Sequence, residues 1–583
     1  MVLLILQQLG TSDILLRMAA FIAPILIFVA ISIASYTKQA ADFFSAGRRV
    51  PAVCNGLILS VSALGGCGLI IFTGLLFIDG FDAWCIPVGM MTGFVVMATM
   101  VAPFYRKYGA YTVPSYLGRR FESKSLRIAA ATIFAMPVLL LLTAELTIAI
   151  DAINLLTGLP KTYSIAILGL VLGACIALGG MQSLSSVGSA QAIAVIIAMI
   201  VPAALLGVIE TNLPIAQLSY GPVLRTISRM EIALQIPVPE PAMFAFDLAG
   251  QGLTQLQSRL ATPYSSLGPA SFALTTMTVM LGIACAPWLL LTNGATAGVH
   301  EARKSFSWTI LFFGIMVLTL SALAVFLRNY VMLDLVGKSP ADLPEWFTTV
   351  SSLGQAAAVS SGEPLKLSDI AFDRDGVLFA IPVAAGFPPI VLYLILAGVI
   401  SAALVAAAVT AYAFATMLSE DILLGLEWRP ISTSVRLASA RVFCIASVGI
   451  SMFFAVIVRT DPLQLLLWAL SLSAATAFPV IMLSIWWRKM PTLSALSALI
   501  AGFVTSIIVI LSGDNLPVPL PTPINGLFGM VAALIAAFVS ARMGSEASQQ
   551  LQEKLRDIRI PGGETIYDRE LRLLRLKEQQ RSK

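Results

Sequence analysis

Charge is scarce in this chain. Asp, Glu, Lys and Arg make up 11% of its 583 residues, against about 25% in soluble domains. One histidine is present, His300, beside Glu301, Arg303 and Lys304. It reads as a solvated loop residue, with no concentrated set of acid, base and nucleophile around it. Catalysis needs such a set, so an enzyme is not expected. Phosphate-binding loops, dinucleotide fingerprints and zinc spacings are missing too. ATP-driven pumping is thereby excluded, no organic cofactor is expected, and no metal-ligand set can be assigned. The six cysteines, Cys54, Cys67, Cys85, Cys175, Cys285 and Cys444, stand in or beside apolar runs at no ligand spacing. They read as small buried apolar side chains. The net charge is only +5, and no basic stripe with interleaved aromatics occurs, which argues against nucleic acid. The first apolar run has no basic segment before it, so no cleavable signal peptide is expected.

What the chain has is apolar length. Apolar residues make up 58% of it, too much surface for one water-soluble core. Runs of about 20 apolar residues, each long enough to cross ~30 Å of hydrocarbon, recur throughout. The predicted spans are 16–36, 51–78, 83–104, 127–157, 160–179, 186–208, 271–293, 305–331, 388–418, 437–458, 461–487, 492–512 and 524–542. The expectation is therefore an all-α membrane protein of about thirteen transmembrane helices, with the lipid bilayer as its main partner. Basic residues follow the odd-numbered spans: Lys38, Arg48 and Arg49; Arg106, Lys107, Arg119, Arg120, Lys124 and Arg127; Arg303 and Lys304; Arg429 and Arg436; Arg488 and Lys489. The opposite short loops carry little beyond Lys161 and Arg459. By the positive-inside rule the N-terminus lies outside and the C-terminal tail in the cytoplasm. The expected location is the bacterial inner (plasma) membrane.

Two longer loops, 209–270 and 332–387, fall outside in this arrangement. Neither shows the strand–helix alternation of a catalytic domain. The second is acid-rich, with Asp334, Asp342, Glu345, Glu363, Asp369, Asp373 and Asp375. It reads as a solvated connector or a partial lid. The tail, 543–583, reads as a polar cytoplasmic helix carrying Leu551, Leu555, Ile566, Leu571 and Leu574, broken at Pro561-Gly562-Gly563. A solvated tail is the simpler expectation, and a surface-lying helix or contact with a cytoplasmic partner the alternative.

Movement of a small solute is what remains, and transporter sites form where helices break. The second span contains Ser62-Ala63-Leu64-Gly65-Gly66-Cys67-Gly68; the seventh contains Gly282-Ile283-Ala284-Cys285-Ala286-Pro287. Each opens a five-helix group, spans 2–6 and 7–11. Matched interruptions of this kind mark inverted repeats, whose freed amides face anions and freed carbonyls face cations. The candidate substrate-binding residues are Ser62, Gly65, Gly66, Gly68, Thr73, Gly282, Ala284 and Trp288. One acid stands deep in a span: Glu145 follows Arg127 by 18 residues, ~27 Å along an ideal helix. An ionised carboxylate at mid-membrane costs about 2.5–3.5 kcal/mol even on the mild scale. Glu145 must therefore face the bundle interior or carry a proton. It is a candidate for ion coupling, with a structural hydrogen bond as the plainer role. Asp151, a turn and a half later, belongs at the interface.

Several segments resemble the sodium/solute symporter family in order and spacing, from about 20 to about 540. Asp42-Phe43-Phe44-Ser45-Ala46-Gly47-Arg48-Arg49 with Asn55-Gly56 resembles the approach to its first core helix. Tyr111-Thr112-Val113-Pro114-Ser115-Tyr116-Leu117 resembles its Y-T-V-P signature. Gly179-Gly180-Met181 before Gln191 resembles its G-G-M loop. Glu301 to Ser305, Ser419-Glu420-Asp421 and Phe478-Pro479 through Lys489 resemble its A-R-x-S, S-x-D and F-P…W elements. The likeness is strongest to the cation/acetate symporter branch. It implies a leucine-transporter-like core of ten helices (5+5) at 51–487, with repeats at about 51–208 and 271–487. An N-terminal segment with a peripheral helix (1–50) and two further peripheral helices (488–542) complete the implied organisation. It also implies alternating access, coupling to sodium, and small carboxylates as substrates. The sequence departs from the branch where sodium would bind. Ser62 or Ala63 stands for the usual acid of the second span, Gly188 for another, Val405-Ala406-Ala407-Ala408 for Ser-Thr-Ala-Asp, and Thr292 for Arg after Pro287-Trp288. Ser401 and Thr410 on the ninth span are the hydroxyls left there as candidates for ion coupling, with Thr73 on the second span and the backbone carbonyls at the breaks as further oxygens. The coupling ion stays open between sodium at a residual site and a proton at Glu145. The reading is cation-coupled symport of a small organic anion such as a monocarboxylate. The rival is a transporter-like receptor or accessory subunit that has lost ion coupling.

Overall fold

Lipid offers backbone amides no partner, so long apolar runs close their hydrogen bonds as helices. The computed structural model describes residues 12–245, 248–359, 364–423, 425, 432–512, 524–544, 549–560 and 569. Its principal helices are α1 (Asp13–Ala34), α2 (Ala52–Ile78), α3 (Gly80–Tyr108), α4 (Lys124–Thr157), α5 (Lys161–Thr211), α6 (Ala216–Ala233), α7 (Pro269–Ala284), α8 (Pro287–Asn293) and α9 (Val299–Asp334). There follow α10 (Pro389–Leu423), α11 (Thr433–Ile457), α12 (Pro462–Trp486), α13 (Thr492–Ser512), α14 (Asn525–Ser540) and α15 (Gln549–Arg559). Among the described residues ten helices are long and apolar enough to cross a membrane, and the bent pair α7–α8 makes an eleventh. The number thirteen is reached when α5 is divided and the shorter α14 is included. At 51 residues, α5 would measure ~77 Å unbroken, more than twice the hydrocarbon thickness. Gly180 divides it (φ 52°, ψ −132°). The expected loop between the fifth and sixth spans is therefore a one-residue break, and a Cβ on Gly180 would lie 2.5 Å from the Phe43 carbonyl oxygen.

The packing carries the two-fold repeat. α2 lies along α9, and α7 lies along α3; α10 lies on α5, and α4 lies on α12. Exchanging the group α2–α5 with the group α7–α12 maps each of these contacts onto its mate. That is the inverted-repeat, leucine-transporter-like arrangement.

The two long loops prove to be one unit, so the second is neither a lone solvated connector nor a lid of its own. The first contains α6 and β1 (Leu253–Gln255); the second contains β2 (Ala356–Ala358) and β3 (Ile370–Asp373). They form an antiparallel sheet in the order β1-β3-β2, with Thr254 and Ala356 both opposite Phe372. A buried pair anchors the unit: Arg328 at the end of α9 donates to Glu231 of α6 at 3.2 Å and to the Ser258 carbonyl at 2.8 Å. We call this the sheet face, and the end bearing Arg106, Arg120 and Arg127 the basic face.

The tail also departs from expectation. Leu551, Leu555 and Ile558 of α15 are buried, and Arg559 donates twice to the Ile485 carbonyl while its guanidinium lies over Trp486. This part is docked on the protein, not solvated. Ile566, Leu571, Leu574 and the Pro561-Gly562-Gly563 break lie outside the described residues, as do Glu363 and Arg429.

Candidate transport site

α2 contains one non-helical residue, Gly65 (φ 63°, ψ −174°), a conformation open essentially to glycine alone. The break frees the next amides, and Glu145 of α4 meets them. Its Oε2 accepts from Gly66 N–H at 2.9 Å and from Cys67 N–H at 3.4 Å. A Cβ on Gly65 would lie 1.9 Å from Glu145 Oε1, so the missing side chain is what admits the carboxylate. Glu145 is 2% exposed. Among the described residues no Lys, Arg or His pairs with it. Its compensation is the partial positive charge at the start of the Gly66–Ile78 segment.

The second break lies between α7 and α8, whose axes differ by 42°. Pro287 has no N–H with which to continue α7. Ser473 of α12 donates to the Gly282 carbonyl at 2.8 Å. Thus α4 brings an acceptor to the amides of one break, and α12 brings a donor to a carbonyl of the other. Ser473 was not foreseen, since one serine in a small-residue helix gives no signal of its own.

The other expected residues divide. Ser62, Ala284 and Trp288 are buried at the breaks, and α8 packs on α2. Ser62 Oγ and Trp288 Nε1 have no hydrogen-bond partner among the described residues. Gly66 abuts α10, where a Cβ would meet Ala403 at 2.7 Å; Gly282 abuts the Leu470 carbonyl of α12. Gly68 turns toward Leu64 and Phe72 of its own helix. Thr73 lies about two turns beyond the break, donating to the Leu69 carbonyl. Ser401 and Thr410 are not brought together. Nine residues apart on α10, they point in directions about 180° apart. Thr410 shares the Ala403 stripe that faces α2, whereas Ser401 does not. Both donate to carbonyls of their own helix, Ser401 to Ala397 and Thr410 to Ala406.

Polar clusters close both ends. On the sheet face, Arg374 is fully buried and donates to both carboxylate oxygens of Asp461 at 2.8 Å, to Asp375, and to the Ala249 carbonyl. Burial opposes its charge, but the hydrogen bonds to Asp461 and Asp375 outweigh that and hold its pKa above the ordinary value. Gly74 of α2 presses on the Arg374 carbonyl. Beside this cluster opens a cavity of about 330 Å³ lined by Asp151, Asp373, Asp375, Ile70 and Ile148 among others. Ile70 is one turn beyond Gly66 and Ile148 one turn beyond Glu145, so the cavity floor lies directly over the capped break. Asp151 stands at the rim, paired with Lys161, as expected of an interfacial acid.

On the basic face, buried Asp421 accepts from Thr112 Oγ1 and Ser115 Oγ at 2.6 Å each and from Arg127 Nε at 2.8 Å. Arg127 also donates to the Glu420 carbonyl, and Glu420 pairs with Arg436. Two motifs 309 residues apart, Tyr111–Leu117 and Ser419-Glu420-Asp421, thus meet in one cluster.

A family model described as the sodium:solute symporter family matches residues 43–502. The chain belongs to the sodium:solute symporter family. Cation-coupled symport is the activity this supports, and the family's members and this chain's relatives are transporters rather than enzymes. The family member described here is 24% identical to an uncharacterized symporter of Cupriavidus necator, over 87% of this chain and 86% of that one. It is 23% identical to a monocarboxylic acid transporter of Corynebacterium glutamicum, over 92% of both chains. Among solved structures it resembles a substrate-bound, outward-open Na+-coupled sialic acid symporter. The TM-score is 0.69 at 15% identity, covering 92% of this chain and 98% of that one. That likeness speaks to the fold alone.

Proposed function

We propose that this symporter carries a small organic anion, of the monocarboxylate class, inward across the bacterial plasma membrane together with a cation. The observation that carries the reading is the pair of interruptions in equivalent helices, α2 and α7–α8, each supported from a packed neighbour. The freed amides of α2 suit an anionic headgroup, and the Corynebacterium relative carries monocarboxylates by name. The basic face is assigned to the cytoplasm by the positive-inside rule, which places the sheet face and the N-terminus outside. For the cation, the hydroxyl pair expected on α10 is split between two sides of that helix. Glu145 stands at the break without a basic partner among the described residues. These features favour a proton over sodium. Coupling sets the reach of transport. One cation moving with one monovalent anion carries no net charge, so the membrane potential, worth ~2.3 kcal/mol per charge per 100 mV, does not drive it; a tenfold ion gradient is worth ~1.4 kcal/mol and supports about tenfold accumulation.

The test is uptake of a panel of labelled monocarboxylates into proteoliposomes with imposed sodium or proton gradients. Uptake driven by either gradient supports symport, and the gradient that drives it names the ion. Absence of flux under every gradient would overturn the reading and leave a receptor or accessory role.

A further inference from the structure

The break in α2 is shaped around a carboxylate, and the carboxylate in it belongs to the protein. Gly66 and Cys67 aim their amides at one oxygen of Glu145, and Gly65 gives up its side chain to the other. A Glu side chain beyond Cα is a short alkyl carboxylate, the same chemistry as a small monocarboxylate. The two breaks also hold donors that Glu145 does not use: Ser62 Oγ and Trp288 Nε1, both buried and without partners among the described residues. Unmet buried donors are costly, and an anion entering between α2 and α8 has the chemistry to satisfy them. The cavity lined by Ile70 and Ile148 on the sheet face ends about one helical turn from the same point.

We propose that Glu145 and the transported carboxylate take turns on the Gly66 and Cys67 amides, and that Glu145 leaves them only as the neutral acid. This rests on the monocarboxylate reading above and adds the coupling step. With the sheet face open, Glu145 takes a proton and swings off, and the anion takes the amides. With the basic face open, the anion leaves, Glu145 returns to the amides as carboxylate, and its proton goes to the cytoplasmic side. One proton and one anion cross per cycle, with no net charge and no covalent change.

Cys67 is the titratable side chain that faces Glu145; Arg374 and Asp375 act on Cys67 from the sheet face. The other helices packed on α4 present no charge at that depth. Pro389–Met417 of α10, α12, α13 and α8 contain no Asp, Glu, Lys, Arg or His. Asp13 and Arg17 of α1, Lys161 and Glu210 of α5, and Arg436 and Arg441 of α11 lie toward the helix ends, as do Arg119 and Arg120 of the segment Val113–Arg120.

The experiment uses the full chain in proteoliposomes and labelled pyruvate, an α-keto acid that stays ionised from mildly acidic to mildly alkaline buffer. In counterflow, the wild-type KM falls about tenfold for each pH unit lowered while Glu145 is ionised, because apparent affinity scales with the competent fraction. Glu145→Gln shows a low KM that no longer follows pH, and it loses proton-driven accumulation. A Glu145→Gln protein whose KM still follows pH like wild type overturns the proposal. A second measurement needs no variant. Adding pyruvate to unbuffered wild-type vesicles alkalinises the medium by one proton per anion, and an imposed potassium diffusion potential leaves the rate unchanged. Pyruvate uptake without proton movement, or uptake driven by the potential, overturns the exchange mechanism while leaving monocarboxylate transport standing. No uptake at all would instead remove the function on which it rests.

Discussion

Gly65→Ala tests the geometry of the break directly. The alanine Cβ would enter a backbone region that costs of order 1–3 kcal/mol for a residue with a side chain. It would also lie 1.9 Å from Glu145 Oε1 and 2.5 Å from Cδ, so the carboxylate must leave. Leaving forfeits hydrogen bonds to a charged group worth about 1.5–3 kcal/mol. Together the two effects amount to about 2.5–6 kcal/mol, a large fraction of an ordinary folding free energy of about 5–15 kcal/mol. The assay is denaturant unfolding in mixed micelles, followed by tryptophan fluorescence, on a four-member cycle with Glu145→Ala. In the Glu145→Ala background the alanine at 65 meets no carboxylate and should cost only the backbone share. A coupling of about 1.5–3 kcal/mol between the two positions is expected, within the range for residues in contact. Equal cost in both backgrounds, or no cost in either, would refute the claim that Gly65 exists to admit Glu145.

Three further outcomes are expected. Arg127→Ala leaves buried Asp421 with only two hydroxyl donors, and breaking such a pair costs about 3–5 kcal/mol when fully buried. Arg127 is 25% exposed on its side chain, so about half of that is expected, and adding Asp421→Asn should recover part of it in the same unfolding assay. Arg374→Lys loses the forked contact to Asp461, and the segment 332–387 should become more readily cut by protease added from the sheet face. A cutting rate equal to wild type would show that the guanidinium does not hold the cap. Arg559→Ala removes two bonds to the Ile485 carbonyl and the contact over Trp486. It should lower the thermal midpoint modestly, by the loss of about 1–2 kcal/mol, without changing transport KM.

The legible parts were those that a single segment can carry. The Gly-rich run at 65–68 and Pro287 marked both breaks because glycine and proline alter backbone geometry wherever they stand. Glu145 stood out because a lone acid deep in an apolar run is costly in any arrangement. That the acid meets the glycines was not legible. The pairing spans 79 residues, and it depends on the rotation of α4 about its axis. Ser401 shows the reverse: a hydroxyl near the right place in sequence lies on the side of α10 away from α2, because nearness along a chain does not place two residues on one helical face. α6 carries weak sequence signals because Gly221 and Pro222 stand inside it, whereas burial of Ser219, Val223 and Ile227 holds it helical. The sheet was missed because strands of three or four residues carry no usable alternation, and β1 finds its partner only across 118 residues.

The docked tail has a consequence for regulation. α15 has spent its greasy side, Leu551, Leu555 and Ile558, on its own chain, and turns Glu553, Arg556 and Asp557 to water. A ligand arriving at this end meets a mosaic of opposite charges, so recognition without peeling would weaken steeply with salt. A ligand that wants the leucines must first strip the helix from Ile485 and Trp486, and so would disturb the end of the helix whose Ser473 steadies the second break.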